Sequence, residues 1–121
     1  RHGPKSIVND TTLNVVYLSD GAYQRQYEMD LVRELASQRK GDKVMVVCNT
    51  PCEEAEKLAD YYYCFNTSAK DNVFLGLEYV VVAQLIAIFR SLQNKITPDN
   101  PCPTGEVNRV VKGVTLYPYH K

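Results

Sequence analysis

The sequence predicts an α/β fold: a three-layer αβα sandwich of the Rossmann-like kind, built around a parallel sheet. Three observations support this class. Short apolar runs rich in β-branched residues alternate with longer amphipathic segments. Each apolar run has the length of a buried strand. The order strand, helix, strand, helix, strand requires crossover connections, which make neighbouring strands parallel and place helices on the faces of the sheet.

The three predicted strands share an apolar, β-branched or aromatic composition that favours extended backbone. They are residues 12–19 (TLNVVYLS), 43–49 (KVMVVCN) and 61–66 (YYYCFN). Ser19-Asp20-Gly21 ends the first strand, because these residue types are typical of turns.

The first predicted helix covers residues 23–40, where charged residues occupy the face opposite an apolar stripe. Gly41 follows at the position expected of a left-handed cap. The residues predicted to face the core are Tyr27, Leu31 and Leu35, with weaker signals at Met29, Val32 and Ala36. A second, short helix is predicted after Thr50-Pro51. The acidic residues of CEEAEKLAD fall in its first turn, where the helix dipole stabilises negative charge.

Residues 71–95 form the most apolar segment of the chain. Glu78, Gln84 and Arg90 interrupt it, so an uncharged span of about twenty residues is not reached. We therefore predict a long buried helix that covers the sheet or a subunit partner, rather than a membrane span. The run YVVVA also fits a strand, but the whole segment is too long for one. The Pro- and Gly-rich residues 97–108 exclude regular structure.

Size and composition limit the possible functions. The chain has 121 residues, enough for one domain with a core, with 45% hydrophobic residues, 23% charged residues and a net charge of zero. A balanced charge excludes electrostatic binding of nucleic acid, which needs an excess of Lys and Arg. Cys48 and Cys52 have a C-x3-C spacing, but no second close pair or nearby His completes a zinc site. The four cysteines therefore indicate buried, reduced thiols rather than disulfides or a metal site.

The sequence contains few candidate catalytic residues. The sequence has no G-x-G-x-x-G, P-loop, H-E-x-x-H or G-x-S-x-G motif. Only His2 and His120 titrate near neutral pH by default, and His120 lies beside the C-terminal lysine. Lys112 stands alone within the apolar run V-V-K-G-V. Singly, His2 is typical of an ordinary surface histidine and Lys112 of a solubilising lysine on an edge strand.

Both residues lie in motifs that resemble those of a known family. RHGPKSIV at the start resembles the K/R-H-G-P turn of sugar isomerase (SIS) domains, as found in the isomerase half of glucosamine-6-phosphate synthase. The tail D-N-P…N-R-V-V-K-G-V-T resembles the D-x-P…L-A-K-S-V-T ending of the same enzyme. Nearly the whole chain is similar to the tagatose-6-phosphate ketose/aldose isomerase family of AgaS-type phosphosugar proteins.

The resemblance implies a domain organisation. Family members hold two SIS domains, so residues 1–96 are expected to be part of the second domain, and residues 97–121 a tail that completes the active site. The fold is then incomplete at its N-terminal side, since a first strand, a first helix and a whole first domain are expected upstream of Arg1. A homo-oligomer of at least two subunits, or a partner chain that carries the missing part, is also expected, in the cytoplasm.

The resemblance also implies roles for three residues. His2 is expected to open the sugar ring in the active site of a neighbouring subunit. Lys112 is expected near C1 and C2 of the sugar, with the backbone of Val111 in contact with the substrate. The general-base glutamate and the Ser/Thr-rich phosphate loop precede the H-G-P turn in the family, so no residue here is assigned to them. No cofactor, metal, nucleic acid or membrane is expected.

These roles agree with the chemistry of a phosphosugar isomerase or deaminase, such as one that converts galactosamine 6-phosphate to tagatose 6-phosphate and ammonia. A neutral imidazole can move the proton that ring opening requires, and an ammonium group can stabilise a developing enediol or enolamine oxygen. The segment PCPTGEV lengthens the tail relative to the synthase, which leaves the preferred sugar open.

Two other interpretations stay open. SIS domains in some transcription regulators bind phosphosugars without catalysis, but such a sensor needs neither a ring-opening histidine nor a lysine near C1. A doubly wound domain of the response-regulator type needs an acidic cluster at the strand ends, and Asp20 alone matches that pattern poorly.

Overall fold

The computed structural model describes residues 5–68, 72–97, 102–106 and 113–118. Within them lie six elements, and each corresponds to a predicted strand or helix. In chain order these are β1 (Leu13–Tyr17), α1 (Ala22–Ser37), β2 (Lys43–Cys48), α2 (Glu53–Leu58), β3 (Tyr61–Cys64) and α3 (Asn72–Gln93). The α/β class predicted from the sequence is confirmed.

The three strands form one parallel sheet in the order β1-β2-β3. The register places Val16 opposite Val46 and Val46 opposite Tyr62. Because α1 and α2 each connect neighbouring parallel strands, the right-handed crossover rule places both on the same face of the sheet. The carboxyl ends of all three strands therefore meet at one edge.

The core lies between this face and α1. Alternate strand residues point towards the helices, and α1 buries three side chains against them. The buried members are Val16, Leu18, Met29, Val32, Leu35, Val44, Val46, Cys48 and Ala55. Leu31 packs against this cluster while partly buried. The prediction for Tyr27 is wrong, because this side chain is 57% exposed and pairs edge-to-face with Tyr23 at 5.3 Å between ring centroids.

The end of α1 also differs from the prediction. The helix ends at Ser37, where the Gln38 amide closes it by donating to the Glu34 carbonyl at 3.1 Å. Gly41 has the expected left-handed φ of +86°, but it lies three residues beyond the cap, in the loop that enters β2. An added Cβ there would lie 2.9 Å from the Asp10 Cβ, so glycine is required by a close approach as well as by φ.

The segment predicted as a long buried helix is helical, as α3, but most of its side chains are not buried in this chain. Leu75 is 1% exposed. The exposed large apolar side chains of α3 are Val73, Phe74, Leu77, Val80, Val81, Leu85, Ile88, Phe89 and Leu92. By length and composition alone, Val73–Gln93 also qualifies as a candidate membrane span among the described residues.

The chain divides into two compact units, Arg1–Val80 and Val81–Lys121. The first unit contains the sheet, α1, α2 and the first part of α3. The second contains the rest of α3 and two described stretches of the tail, 102–106 and 113–118. The domain organisation expected from the family, with residues 1–96 and 97–121, stays a prediction.

Candidate functional site at the carboxyl edge of the sheet

The three residues predicted to act on substrate, His2, Val111 and Lys112, lie outside the described residues, as does His120. Their roles stay predictions. The part of the fold where ligands of parallel α/β sheets usually bind is described, however: it is the edge beyond the carboxyl ends of the strands.

Polar side chains from three successive strand ends meet at this edge. Asp20 follows β1, Asn49 follows β2, and Thr67 follows β3. Asn49, which is 3% exposed, is the central member. Its amide nitrogen donates to the Asp20 carboxylate at 3.0 Å, and its amide oxygen accepts from the Thr67 backbone N–H at 2.8 Å. One side chain thus ties together the loops that follow all three strands.

Asp20 is held as a carboxylate by its neighbours. Burial alone would raise its pKa, but hydrogen bonds from Asn49 and Thr50 and the nearby Arg25 guanidinium lower it below its ordinary value. The Thr50 backbone N–H donates to Asp20 at 3.1 Å, and Arg25 Nη2 lies 3.7 Å from the carboxylate. Arg25 Nη2 also donates to the Thr50 carbonyl at 2.9 Å. The loops after β1 and β2 are therefore joined by a charged pair as well as by Asn49.

The first part of α3 adds two polar groups to the same edge. The Thr67 hydroxyl lies 3.3 Å from a Glu78 carboxylate oxygen, and the Tyr79 hydroxyl donates to the Leu18 carbonyl at 2.8 Å. The Tyr79 ring also packs against Tyr17, with 5.4 Å between centroids, and against Phe65 at 5.8 Å. Burial, with the Asp20 charge as a smaller cause, raises the pKa of Tyr79 to about 12. Tyr79 therefore stays protonated and acts as a donor at physiological pH.

A carboxylate of α1 closes the loop after β1. Glu28 accepts the Ser19 backbone N–H at 2.7 Å and the Ser19 hydroxyl at 2.5 Å. Bonds of this kind to a charged acceptor are stronger than neutral ones. The residue that precedes Asp20 is consequently held against α1.

Cys48 and Cys64 are the last residues of β2 and β3 at this edge. All four cysteines lie within the described residues, and none forms a disulfide. Cys48 is buried, which confirms the prediction for that thiol, while the other three are only partly buried. Burial raises the pKa of Cys48 to about 11. The Tyr62 hydroxyl lies 3.1 Å from Cys48 Sγ and accepts the Cys52 backbone N–H at 2.9 Å.

The cluster Asp20–Asn49–Thr67–Glu78 therefore fixes the geometry of the loops at the carboxyl edge. Its carboxylates are engaged in hydrogen bonds, and among the described residues no group of three His, Cys, Asp or Glu side chains could hold a metal ion. Sequence reasoning missed Asn49 and Thr67. The available signal was their position at strand ends: Asn49 is the last residue of the predicted strand 43–49, and Thr67 directly follows the predicted strand 61–66. The fold class places functional loops at such ends.

Two curated relatives match the chain over nearly its whole length. It is 40% identical over 121 residues to the D-galactosamine-6-phosphate deaminase AgaS of Shewanella sp. (strain ANA-3). It is 37% identical over 123 residues to the protein of the same name from Escherichia coli. These matches cover 100% and 98% of this chain. The chain is homologous to the AgaS proteins.

A solved structure agrees with this homology. A chain from Clostridium novyi NT, provisionally named a tagatose-6-phosphate ketose/aldose isomerase, superposes with a TM-score of 0.84 at 44% identity over 98% of the present chain. The fold and the family resemblance expected from the sequence are thereby confirmed. A scan of protein-family models finds no match.

The matched AgaS proteins are considerably longer. The chain spans 28% of the Shewanella protein, 31% of the E. coli protein and 31% of the solved chain. The chain that contains the carboxyl-edge cluster thus corresponds to about a third of the length of each matched protein.

Proposed function

We propose that the chain is part of a phosphosugar isomerase or deaminase that acts on a hexose or hexosamine 6-phosphate. The favoured reaction converts galactosamine 6-phosphate and water to tagatose 6-phosphate and ammonia, with isomerisation to the C2 imine followed by its hydrolysis. The observation that carries the proposal is the 40% identity to a galactosamine-6-phosphate deaminase across all 121 residues. The superposition on a protein named for the isomerisation of a tagatose phosphate supports the same chemistry.

His2 is assigned to ring opening. The ring form of an aldose phosphate must open before its C1–C2 bond can react, and opening moves a proton between the ring oxygen and O1. A neutral imidazole can transfer that proton near pH 7. His2 stands in the R-H-G-P turn that resembles the ring-opening turn of SIS enzymes, and a neighbouring subunit is proposed to use it.

Lys112 is assigned to the developing negative charge at the C1–C2 end of the sugar. Removal of the C2 proton produces an enediol or enolamine, and an ammonium group placed beside its oxygen lowers the barrier. The Val111 backbone is proposed to contact the same end of the substrate. The carboxylate base and the phosphate-binding loop belong, in this proposal, to the part of the longer protein that precedes Arg1.

The carboxyl-edge cluster serves this reaction indirectly. Asn49 and Asp20 hold the loops after β1 and β2 in fixed positions, and preorganised loops keep reacting groups at productive distances. The protein is proposed to be cytoplasmic and a homo-oligomer of at least two subunits, because a shared histidine requires a second copy. No cofactor is proposed.

The test measures ammonia release from galactosamine 6-phosphate by the longer protein that contains this chain. His2→Asn removes the proton-transfer group, and Lys112→Ala removes the ammonium group. Each variant is expected to lose at least a hundredfold in kcat/KM. General acid–base catalysis contributes about 10²–10⁴-fold for His2, and a group that stabilises a developing oxyanion contributes about 10²–10³-fold for Lys112. His120→Asn and Lys57→Ala are the matched controls. The Lys57 side chain is 77% exposed in its pair with Glu53, and both controls are expected to keep wild-type activity.

Binding measurements separate the reaction from the regulator interpretation. Calorimetric titration with galactosamine 6-phosphate gives the affinity of the wild type and of both active-site variants. A wild-type protein that binds the phosphosugar but releases no ammonia and forms no ketose would contradict the proposal and favour a non-catalytic sensor. Loss of activity with retained binding in His2→Asn is the pattern expected of a catalytic residue.

A further inference from the structure

The second half of α3 carries an apolar face that remains exposed among the described residues. Five large side chains of the second unit are between 42% and 61% exposed: Val81, Leu85, Ile88, Phe89 and Leu92. At 3.6 residues per turn they fall within an arc of about 100°. Ala83 and Arg90 lie on the opposite side of the same helix. We call these five residues the apolar face of α3.

A helix this apolar is normally buried. Arg90 is the sole charged residue between Val81 and Gln93, and helices that are hydrophobic around most of their circumference occur in protein cores or in membranes. The exposure of the apolar face is therefore evidence for an occupant.

We propose that the apolar face of α3 is the docking surface for the remainder of a longer, AgaS-like polypeptide, meaning the part of that polypeptide which this chain does not span. The relatives are more than three times as long as the chain, and the solved relative keeps this same fold within such a longer chain. The remainder is expected to present an apolar helix or sheet face of its own. The inference rests on the homology and not on the proposed reaction.

The length of the helix argues against a bilayer as the occupant. The first part of α3 is committed to the first unit, because Leu75 is buried there and the Tyr79 hydroxyl is bonded to Leu18. Thirteen residues, Val81–Gln93, then remain. At 1.5 Å per residue they extend about 20 Å, whereas a hydrocarbon core is about 30 Å thick.

The area of the face argues against a second copy as its occupant. Five side chains, each about half exposed, present on the order of 500 Å². A symmetric pair would then bury on the order of 1,000 Å², below the roughly 1,200–2,000 Å² of stable interfaces. Docking within one polypeptide needs less area, because the linkage raises the effective concentration of the two surfaces.

Hydrogen–deuterium exchange tests the proposal in two samples, the 121-residue chain and the longer protein. Backbone amides of residues 81–93 are expected to exchange at least tenfold more slowly in the longer protein. Strand β2, residues 43–48, serves as the internal reference, and its exchange should be alike in both samples. Equal exchange of residues 81–93 in both samples would overturn the proposal.

Substitutions locate the contact in the longer protein. Leu85→Lys places a charge in the apolar face and is expected to raise the exchange rate of residues 81–93 at least tenfold. Ala83→Lys, on the opposite side of the same helix, should leave that rate unchanged. Similar effects from both variants would count against the proposed face. If Leu85→Lys does not fold, the exchange rates of the two wild-type samples still test whether residues 81–93 are covered in the longer protein.

The competing occupants give distinct results. Protection in the 121-residue chain that rises with its concentration, and is lost in Leu85→Lys, would assign the face to a second copy instead. Protection of residues 81–93 that appears only with phosphatidylglycerol vesicles would assign it to a membrane. An active deaminase with an unprotected helix would reject this inference while leaving the proposed function intact.

Discussion

The Asn49 side-chain amide donates to the Asp20 carboxylate at 3.0 Å, and this bond joins the carboxyl ends of two neighbouring parallel strands. The same side chain accepts from Thr67 beyond the third strand. One buried side chain thus connects the loops that follow all three strands, at the edge where parallel sheets bind their ligands.

Asn49→Ala is expected to lower the free energy of unfolding by about 1–3 kcal/mol. The substitution removes one hydrogen bond from Asp20 and takes away the side-chain acceptor of the Thr67 amide, and the loss of buried hydrogen bonds carries penalties of about this size. Urea denaturation of wild type and variant measures the difference. Gln26→Ala, on the exposed side of α1, is the control and should change stability by less than about 0.5 kcal/mol. A change as small as the control in Asn49→Ala would show that the cluster is not structural.

Tyr79→Phe is expected to cost about 0.5–1.5 kcal/mol, the net value of one hydrogen bond. The phenyl ring keeps the contacts with Tyr17 and Phe65, so that the difference isolates the bond from the hydroxyl to the Leu18 carbonyl. Thermal unfolding measures it. Tyr61→Phe removes a hydroxyl from a side chain that is 55% exposed, and it should leave the melting temperature unchanged. Equal effects of the two substitutions would contradict the assigned role of Tyr79.

Asp60 makes stability depend on pH in the acid range. Its carboxylate accepts the Val44 backbone N–H at 2.9 Å, Arg39 at 2.8 Å and Lys43 at 3.2 Å. These bonds lower the pKa of Asp60 to about 2. A folded-state pKa below the unfolded one stabilises the fold at pH values above about 4, and this contribution disappears as the pH falls from about 4 to 2.

Denaturation between pH 2 and 6 tests this linkage. In Asp60→Asn the acid-dependent loss of stability should be smaller than in the wild type. Glu106→Gln, which replaces an exposed carboxylate of the tail, should retain the wild-type profile. If Asp60→Asn reproduced the wild-type pH profile, the hydrogen bonds to Asp60 would not be the source of the dependence.

Cys48 is expected to resist alkylation in the folded protein. A pKa of about 11 leaves a thiolate fraction of about 10⁻³ at pH 8, roughly a hundredfold below that of a thiol with the ordinary value of 9.0. Iodoacetamide treatment followed by peptide mass spectrometry gives the rate for each cysteine. In 8 M urea Cys48 should react as quickly as Cys102. Fast labelling of Cys48 without denaturant would show that the side chain opens to solvent.

Much of the fold was predictable because its signals are local. The β-branched runs around Val16 and Val46 and the amphipathic stripe of α1 fix element type without reference to distant residues. The wrong predictions concern residues whose burial or backbone conformation is determined by tertiary contacts. Tyr27 has helical spacing, but it lies outside the part of the helix surface that packs on the sheet. Gly41 is required by its close approach to Asp10 and not by the end of the helix.

The candidate site was less accessible to sequence reasoning. Asn49 and Thr67 are 18 residues apart, and only the parallel register brings them together. His2 and Lys112 were identified differently, because the motifs that flank them resemble motifs of a known family. Their roles are therefore tested by kinetic measurements.

The sequential strand order has a consequence for how the protein folds during synthesis. Each strand pairs with the strand that precedes it in the chain: Val16 of β1 meets Val46 of β2, and Val46 meets Tyr62 of β3. Among the described strands, none is inserted between two strands that precede it in the chain. The sheet can therefore grow in the direction of translation as the chain leaves the ribosome, because each new strand closes a loop only to the strand immediately before it.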